Sequence, residues 1–206
     1  MRLRHPPGRG GRLWLQHRIE VASTGSDLLD KKRRALVQEH RRLRALARGT
    51  EAEWAKAAAE AETWVNRTAV MAGEEKLAML AASHPRAEVT VRWRSAMGVT
   101  FASEARVELG PPPVAATGGS SAADVAVAAA RRAVQAAVRD AAAQSALRRI
   151  GAELAITSRR QRALERRWLP ELAAAATRLS GALDELEREE ATRSLWVRQQ
   201  KAIARS

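Results

Sequence analysis

The sequence predicts an all-α protein, a long antiparallel two-helix left-handed coiled coil with a small β-hairpin and loop region at its centre. Three observations predict it. The strong helix formers Ala, Leu, Glu, Arg, Gln and Lys dominate two long stretches of the 206 residues. Apolar residues in the first stretch return at every seventh position. Between the stretches lies a short segment that alternates instead, followed by a run rich in Pro and Gly.

Composition narrows the class. The chain holds one Phe, no Tyr and six Trp, and Ala inflates its apolar fraction. Such an Ala/Glu/Lys/Leu/Arg-rich composition belongs to long helices rather than to a thick globular core. The absence of Cys excludes disulfides and thiolate metal sites and fits a cytoplasmic protein. The first apolar patch, Leu13–Leu15, is too short for a signal peptide. No run reaches the roughly 18 apolar residues of a membrane span, so direct membrane insertion is not expected. Net charge is +13, from 36 basic and 23 acidic residues, which raises the question of an anionic partner. The basic pairs are scattered along both helical stretches, and no nucleic-acid recognition motif accompanies them.

Residues 1–12, rich in Pro, Gly and Arg, read as a flexible arm. The first long helix is expected over 13–83. Its seam is Leu15, Ala22, Leu29, Leu36 and Leu43, shadowed by Trp14, Val21, Leu28 and Ala35. Sevenfold spacing keeps to one face only when a helix supercoils left-handedly against a partner. Gly25, Gly49 and Gly73 weaken this helix locally. Residues 84–121 are expected to form the hairpin and linker. Val89, Val91 and Trp93 alternate with polar residues, Ser95–Gly98 signals a turn, and a second β-rich run follows to Leu109. The hairpin is expected to be an appendage, since two helices can pair without it.

The second long helix is expected over 122–206. Leu147, Ile150, Leu154, Thr157, Gln161, Leu164 and Trp168 step by three and four. After a shift of phase, Leu169, Leu172, Ala176, Leu179, Leu183 and Leu186 continue the stepping. The shift falls beside Pro170, where a kink is expected, because Pro removes a backbone hydrogen bond and clashes with the preceding turn. Helices joined through a hairpin must pair antiparallel. If their ends were level, Pro170 would face Gly49 and Trp196 would face Ala22. The stretch Leu183–Ile203 is highly charged and holds neither Gly nor Pro, as though built to protrude.

Nothing in the sequence supports catalysis or a cofactor. His5, His17, His40 and His84 form no metal-binding pair on a helical face, and no nucleophile elbow or phosphate-cradling loop is present. Asp184, Glu185, Glu187, Glu189 and Glu190 are interleaved with Arg188 and Arg193, the pattern of surface ion pairs rather than of a metal site.

Both ends of the chain resemble the D subunit of V-type and A-type rotary ATPases. The N-terminal block matches that family's pattern at Pro7, Arg9, Leu15, Arg18, Ile19, Gly25, Leu28, Leu29, Lys32, Arg33 and Leu36, and departs at Gly8, Asp30 and Arg34. The C-terminal block matches at Thr157, Arg159, Arg160, Ala163, Leu164, Glu165, Pro170, Leu172, Leu183, Asp184, Glu185, Glu187, Arg188, Glu189, Glu190 and Arg193, and departs at Arg162 and Leu195. The resemblance implies a non-catalytic central rotor shaft. Its seam would continue through Leu164, Leu172, Leu179, Leu183 and Leu186, with Pro170 as the kink and Arg193, Trp196 and Val197 at a tip borne inside a ring. The implied partners are the A and B subunits of the catalytic ring, a small F-type stalk protein and a C-type adaptor on the membrane ring. The implied place is the cytoplasmic side, peripheral to the membrane. The alternative is a stand-alone basic coiled coil that binds nucleic acid.

Overall fold

The computed structural model describes residues 6–82, 84–111 and 121–203. The first five residues of the expected arm, residues 112–120 of the expected linker, and residues 204–206 lie outside the described residues. The elements are α1 (Gly8–Ala72), α2 (Glu74–Ala82), β1 (Glu88–Ala96), β2 (Val99–Glu108), α3 (Ser121–Ala163), a π-helical turn (Leu164–Trp168) and α4 (Leu169–Ile203). The protein is thus all-α with a single small hairpin among the described residues, and its long helices pack against each other.

The boundaries differ from expectation at two places. Helix α1 begins at Gly8 rather than at residue 13, so residues 8–12 belong to the helix and not to an arm. Gly11 explains why a glycine-rich stretch can be helical here. A Cβ at this position would collide with the Pro6 carbonyl and come within 3.1 Å of Leu179. The glycine marks a close approach, not a break. At the other end, Gly73 adopts a left-handed φ of +86 and separates α1 from α2. The expected continuous helix to residue 83 is therefore two helices, divided where only Gly adopts this φ without strain.

Chain contacts divide the protein into two compact units, Met1–Arg33 with Ile156–Ser206, and Arg34–Ala155. In the first, Leu15, Leu172 and Ala175 form a buried cluster joined by Trp14, Ile19, Ala22, Ala176 and Leu179. In the second, Leu36, Leu43, Ala146 and Ile150 form a cluster with Phe101 of β2, joined by Ala96, Val99, Leu147 and Leu154. Each buried Leu contributes about 1.5–3 kcal/mol relative to exposure.

Both units pair their helices antiparallel, but not with level ends. Arg9 meets Glu187 at 2.8 Å, and Asp30 accepts a hydrogen bond from Gln161 at 3.2 Å. In the second unit Thr50 donates to Asp140 at 2.9 Å, Arg132 meets Glu60 at 2.7 Å, and the Thr68 hydroxyl lies 3.2 Å from the Ala122 carbonyl. The level-ended register is therefore wrong. Gly49 lies beside the residue that meets Asp140, while Pro170 belongs to the stretch facing Leu15 to Gly25. Trp196 does not reach Ala22, which packs in the Leu15 cluster. Near its start α1 meets Glu187 through Arg9, so α4 beyond Glu187 has no helix opposite among the described residues.

The hairpin forms at the expected turn. Met97 and Gly98 have φ of 51 and 79, the left-handed pair that a two-residue hairpin turn requires. Glu88 pairs with Glu108 and Ala96 with Val99, with a register shift between Arg92 and Trp93. Ser103 lies at this shift, and its hydroxyl donates to the Arg92 carbonyl at 3.1 Å. The appendage expectation fails at Phe101. Its side chain is 0% exposed and shares one cluster with Leu36, Leu43, Ala146 and Ile150.

Candidate functional site

The first unit carries the residues singled out for the shaft and its tip. Leu15 and Leu172 are buried, and Ala22, Leu29, Leu164, Leu179 and Leu183 are half-buried. Leu186 departs from the expected seam and is 55% exposed. It lies one residue before Glu187, whose contact with Arg9 is in the first turn of α1. Leu36 and Leu43 are buried in the second unit.

Between the apolar positions of the first unit lies a polar layer. Gln161 is 9% exposed and donates from its amide nitrogen to Glu165 at 2.8 Å and to Asp30 at 3.2 Å. The Ser26 hydroxyl donates to the same Glu165 oxygen at 3.2 Å, and Arg33 pairs with Asp30 at 2.8 Å. Polar side chains in a helical seam stabilise less than Leu, but they satisfy one another in a single alignment and so fix register. The second unit repeats the device, where buried Asp140 accepts from Thr50 and from Gln144 at 3.4 Å. Sequence reasoning missed both layers. Their signal was present, since Ser26 and Gln161 stand at helical spacing from seam residues where Leu would be ordinary.

The π turn carries the phase shift. Leu164 and buried Leu172 stand eight residues apart on the seam side, whereas two α turns take about 7.2 residues. The Leu169 N–H donates to the Leu164 carbonyl, five residues back, and backbone angles are α-helical on both sides at Ala163 and Leu169. One wide turn thus absorbs the surplus residue without ending the helix. Pro170 follows two residues after Trp168 inside this continuous helix and removes one backbone donor there.

Beyond Glu187 the described part of α4 is an exposed helix. Trp196 is 62% exposed, and Leu195, Val197 and Arg193 also face solvent. Glu185 and Arg188 pair along the helix at 2.9 Å. Among the described residues no group of His, Asp or Glu is placed to hold a metal ion, and no helix is long and apolar enough to cross a membrane. A perturbed carboxyl in the second unit is structural. There a hydrogen bond from Arg42, assisted by the charges of Arg42 and Arg94, holds Glu39 below the usual carboxylate range against the opposing effect of burial.

Comparison with known proteins matches the ATP synthase D-subunit family over residues 13–199. The A-type ATP synthase D subunit of Pyrococcus furiosus is 32% identical over 192 residues, covering 91% of this chain and 90% of the relative. The V-type ATP synthase D subunit of Anaeromyxobacter dehalogenans is 34% identical over 194 residues, covering 90% and 91%. The A-type D subunit of Haloarcula marismortui is 28% identical over 191 residues, covering 89% and 82%. With long paired helices, a central hairpin and end-to-end similarity to these proteins, the chain belongs to the ATP synthase D-subunit family.

Proposed function

We propose that this chain is the central rotor shaft of a V/A-type proton-transporting ATPase or ATP synthase. It links ATP synthesis or hydrolysis in a ring of A and B subunits to ion movement in the membrane ring by rotating between them. The chain itself is non-catalytic, and nucleotide chemistry belongs to the A and B subunits. An F-type stalk protein binds its flank and a C-type adaptor joins it to the membrane ring, so the chain sits on the cytoplasmic face, peripheral to the membrane.

One observation carries this reading within the family. Helix α4 continues for more than a dozen residues past the Arg9–Glu187 pair as an exposed helix bearing Trp196 and Val197. An exposed apolar surface on an unpartnered helix fits a part that is surrounded by other subunits. Arg193, Trp196 and Val197 are assigned to that bearing tip, and Pro170 to a bend that presents unequal surfaces to otherwise equivalent ring positions. The seam from Leu15 to Leu183 supplies stiffness, and the two polar layers oppose slippage of one helix along the other.

The test is co-expression with the A and B subunits of the same source and attachment of a bead to the chain. ATP-driven rotation of the bead is expected. A chain that fails to join the A/B assembly, yet is retained on DNA with steep salt dependence, would establish the basic coiled-coil alternative instead.

A further inference from the structure

The hairpin has two edges, and among the described residues the fold occupies one of them. β2 lies against α3. Arg149 donates to the Thr100 carbonyl at 3.0 Å, and Arg131 holds the carbonyls of Leu109 and Gly110, just past the strand, at 2.7 and 2.8 Å. Phe101, Ala102 and Ala105 of β2 are buried. β1 is the outer strand. None of its nine residues is buried, and Trp93 is 61% exposed. An open strand of this length presents a row of N–H and C=O groups that templates pairing with another strand.

Which backbone groups of β1 face outward follows from the turn. Ala96 and Val99 close the two-residue turn and are the pair that bonds across the hairpin. Bonding alternates along an antiparallel ladder, so Ser95 and Thr100 turn their backbone groups away from each other. The bond from Arg149 to the Thr100 carbonyl agrees. On β1 the outward groups therefore belong to Ser95, Trp93, Val91 and Val89. Arg92 points inward, and Ser103 of β2 reaches its carbonyl at 3.1 Å. The extra residue at the register shift lies on β2, so the alternation of β1 is unbroken. Among the described residues no hydrogen bond reaches the outward groups of Val89, Val91, Trp93 or Ser95.

Around Val91 the strand is complementary to itself. In an antiparallel pair centred there, Val91 meets Val91 of a second copy, Val89 meets Trp93, Thr90 meets Arg92, and Glu88 meets Arg94. Outward residues then face outward residues, so the pairs at Val89, Val91 and Trp93 each exchange both backbone hydrogen bonds. Glu88 and Arg94 are opposite in charge, twice over by the two-fold symmetry. Arg92 already has Glu104 at 3.5 Å in its own hairpin. Val89, 50% exposed, and Trp93 cover each other. We propose that β1 is a homodimerisation edge, on which two copies pair antiparallel about Val91 and join their hairpins into a four-stranded sheet. Such a pairing uses the same patch on both copies and closes on itself, since each β2 lies on its own α3. Seven paired residues make a small interface, so the association is weak and reversible. The pairing rests on β1 alone and not on the rotor reading. On that reading, with one shaft to a ring, the pair belongs to chains outside the motor.

Sedimentation equilibrium of the full-length protein provides the test, at concentrations up to about 1 mM so that even a millimolar dissociation constant is seen. A monomer–dimer equilibrium is expected. Arg94→Glu sets Glu against Glu88 twice in each dimer and should weaken the pairing about tenfold, as two attractive pairs become two repulsive ones. Adding Glu88→Arg restores opposite charges and should return the affinity to that of the wild type. Val91→Pro removes the central outward donor. Pro is tolerated where the N–H of an edge strand faces solvent, so the hairpin should stay formed while the dimer is lost. Melting followed by circular dichroism checks that each variant is folded. A chain that stays monomeric at every concentration overturns the proposal and leaves the edge to a strand of a different protein. A dimer that Val91→Pro or Arg94→Glu leaves unchanged overturns it, as does a loss that Glu88→Arg fails to repair. Arg94 also acts on Glu39. Where Arg94→Glu does not fold for that reason, Val91→Pro decides alone.

Discussion

Phe101 is the only Phe in the chain and the largest fully buried side chain described. It fills the space between the helices at Leu36, Leu43 and Ile150. Removing it by Phe101→Ala leaves a cavity that rigid helices cannot close, so chemical denaturation should register a loss of about 3–5 kcal/mol. Leu36→Asp, which buries an unpaired charge in the same cluster, should cost a comparable amount. A second residue-scale prediction concerns Glu39. Its carboxyl accepts two hydrogen bonds from Arg42, at 2.7 and 3.0 Å, and its folded pKa is lowered. A lowered folded pKa means that the ionised form is the stabilised one. Its contribution is fully present above the unfolded Glu range, about 4.3, and is lost as pH falls through the lower folded value. Arg42→Gln should therefore reduce stability at neutral pH, and the gap between variant and wild type should narrow as the solution is made more acid than about pH 4. Unfolding curves measured from neutral to acid pH read this directly. A gap that stays constant would show that Arg42 acts through its packing and not through the carboxylate.

The hairpin is the element whose role changes most between pattern and structure. As an appendage, residues 87–109 could be replaced by a short Gly/Ser bridge without consequence. With Phe101 at the centre of the second unit, the same deletion strips the cover from Leu36, Leu43 and Ile150. The expected outcome is a lower melting temperature and new binding of a hydrophobic dye, checked by circular dichroism and fluorescence. A deletion variant that melts like the wild type would restore the appendage view. This difference shows where legibility ends. Sevenfold spacing marks Leu15, Leu36 and Leu43 as buried because a helix repeats its face with a fixed period. The turn at Met97–Gly98 is legible because few residues tolerate its left-handed angles. What covers a seam from outside has no period, so Phe101 could not be placed from its spacing. Register was illegible for a related reason. Heptads slide past one another by whole repeats at little cost, and the alignment is decided by particular polar pairs such as Thr50–Asp140 and Asp30–Gln161. The phase shift at Trp168 was legible as a shift, but its form as a π turn depends on how Leu164 and Leu172 both reach the same seam.

Among the described residues, the end of α4 is a stretch of helix that the rest of the fold does not cover. Past Glu187 the described residues of α4 are exposed through Lys201, and the hydrogen bond of Thr192 runs to Arg188 within the same helix. Truncation after Glu190 removes Trp196, Val197, Arg193, Arg198 and Lys201, together with Arg205, which lies outside the described residues. The Arg9–Glu187 contact, the Leu15 cluster and the polar layer all survive this cut. The truncated chain should therefore melt within about 1 kcal/mol of the wild type, since exposed helical residues contribute little to stability. On the rotor reading it should also bind its F-type partner normally, because the flank is intact. The deficit should appear only in the assembled motor. Nucleotide sites in the A and B subunits would still turn over ATP, but a shaft without its bearing tip would be centred poorly, and less of each rotation would reach the membrane ring. ATP hydrolysis and proton pumping measured in the same vesicles separate these effects. A reduced ratio of pumping to hydrolysis, with normal assembly, is the expected result. An unaltered ratio would mean that the tip is dispensable and that torque passes through the paired part of the helices. A chain that unfolds on truncation would show instead that these exposed residues stabilise the isolated fold.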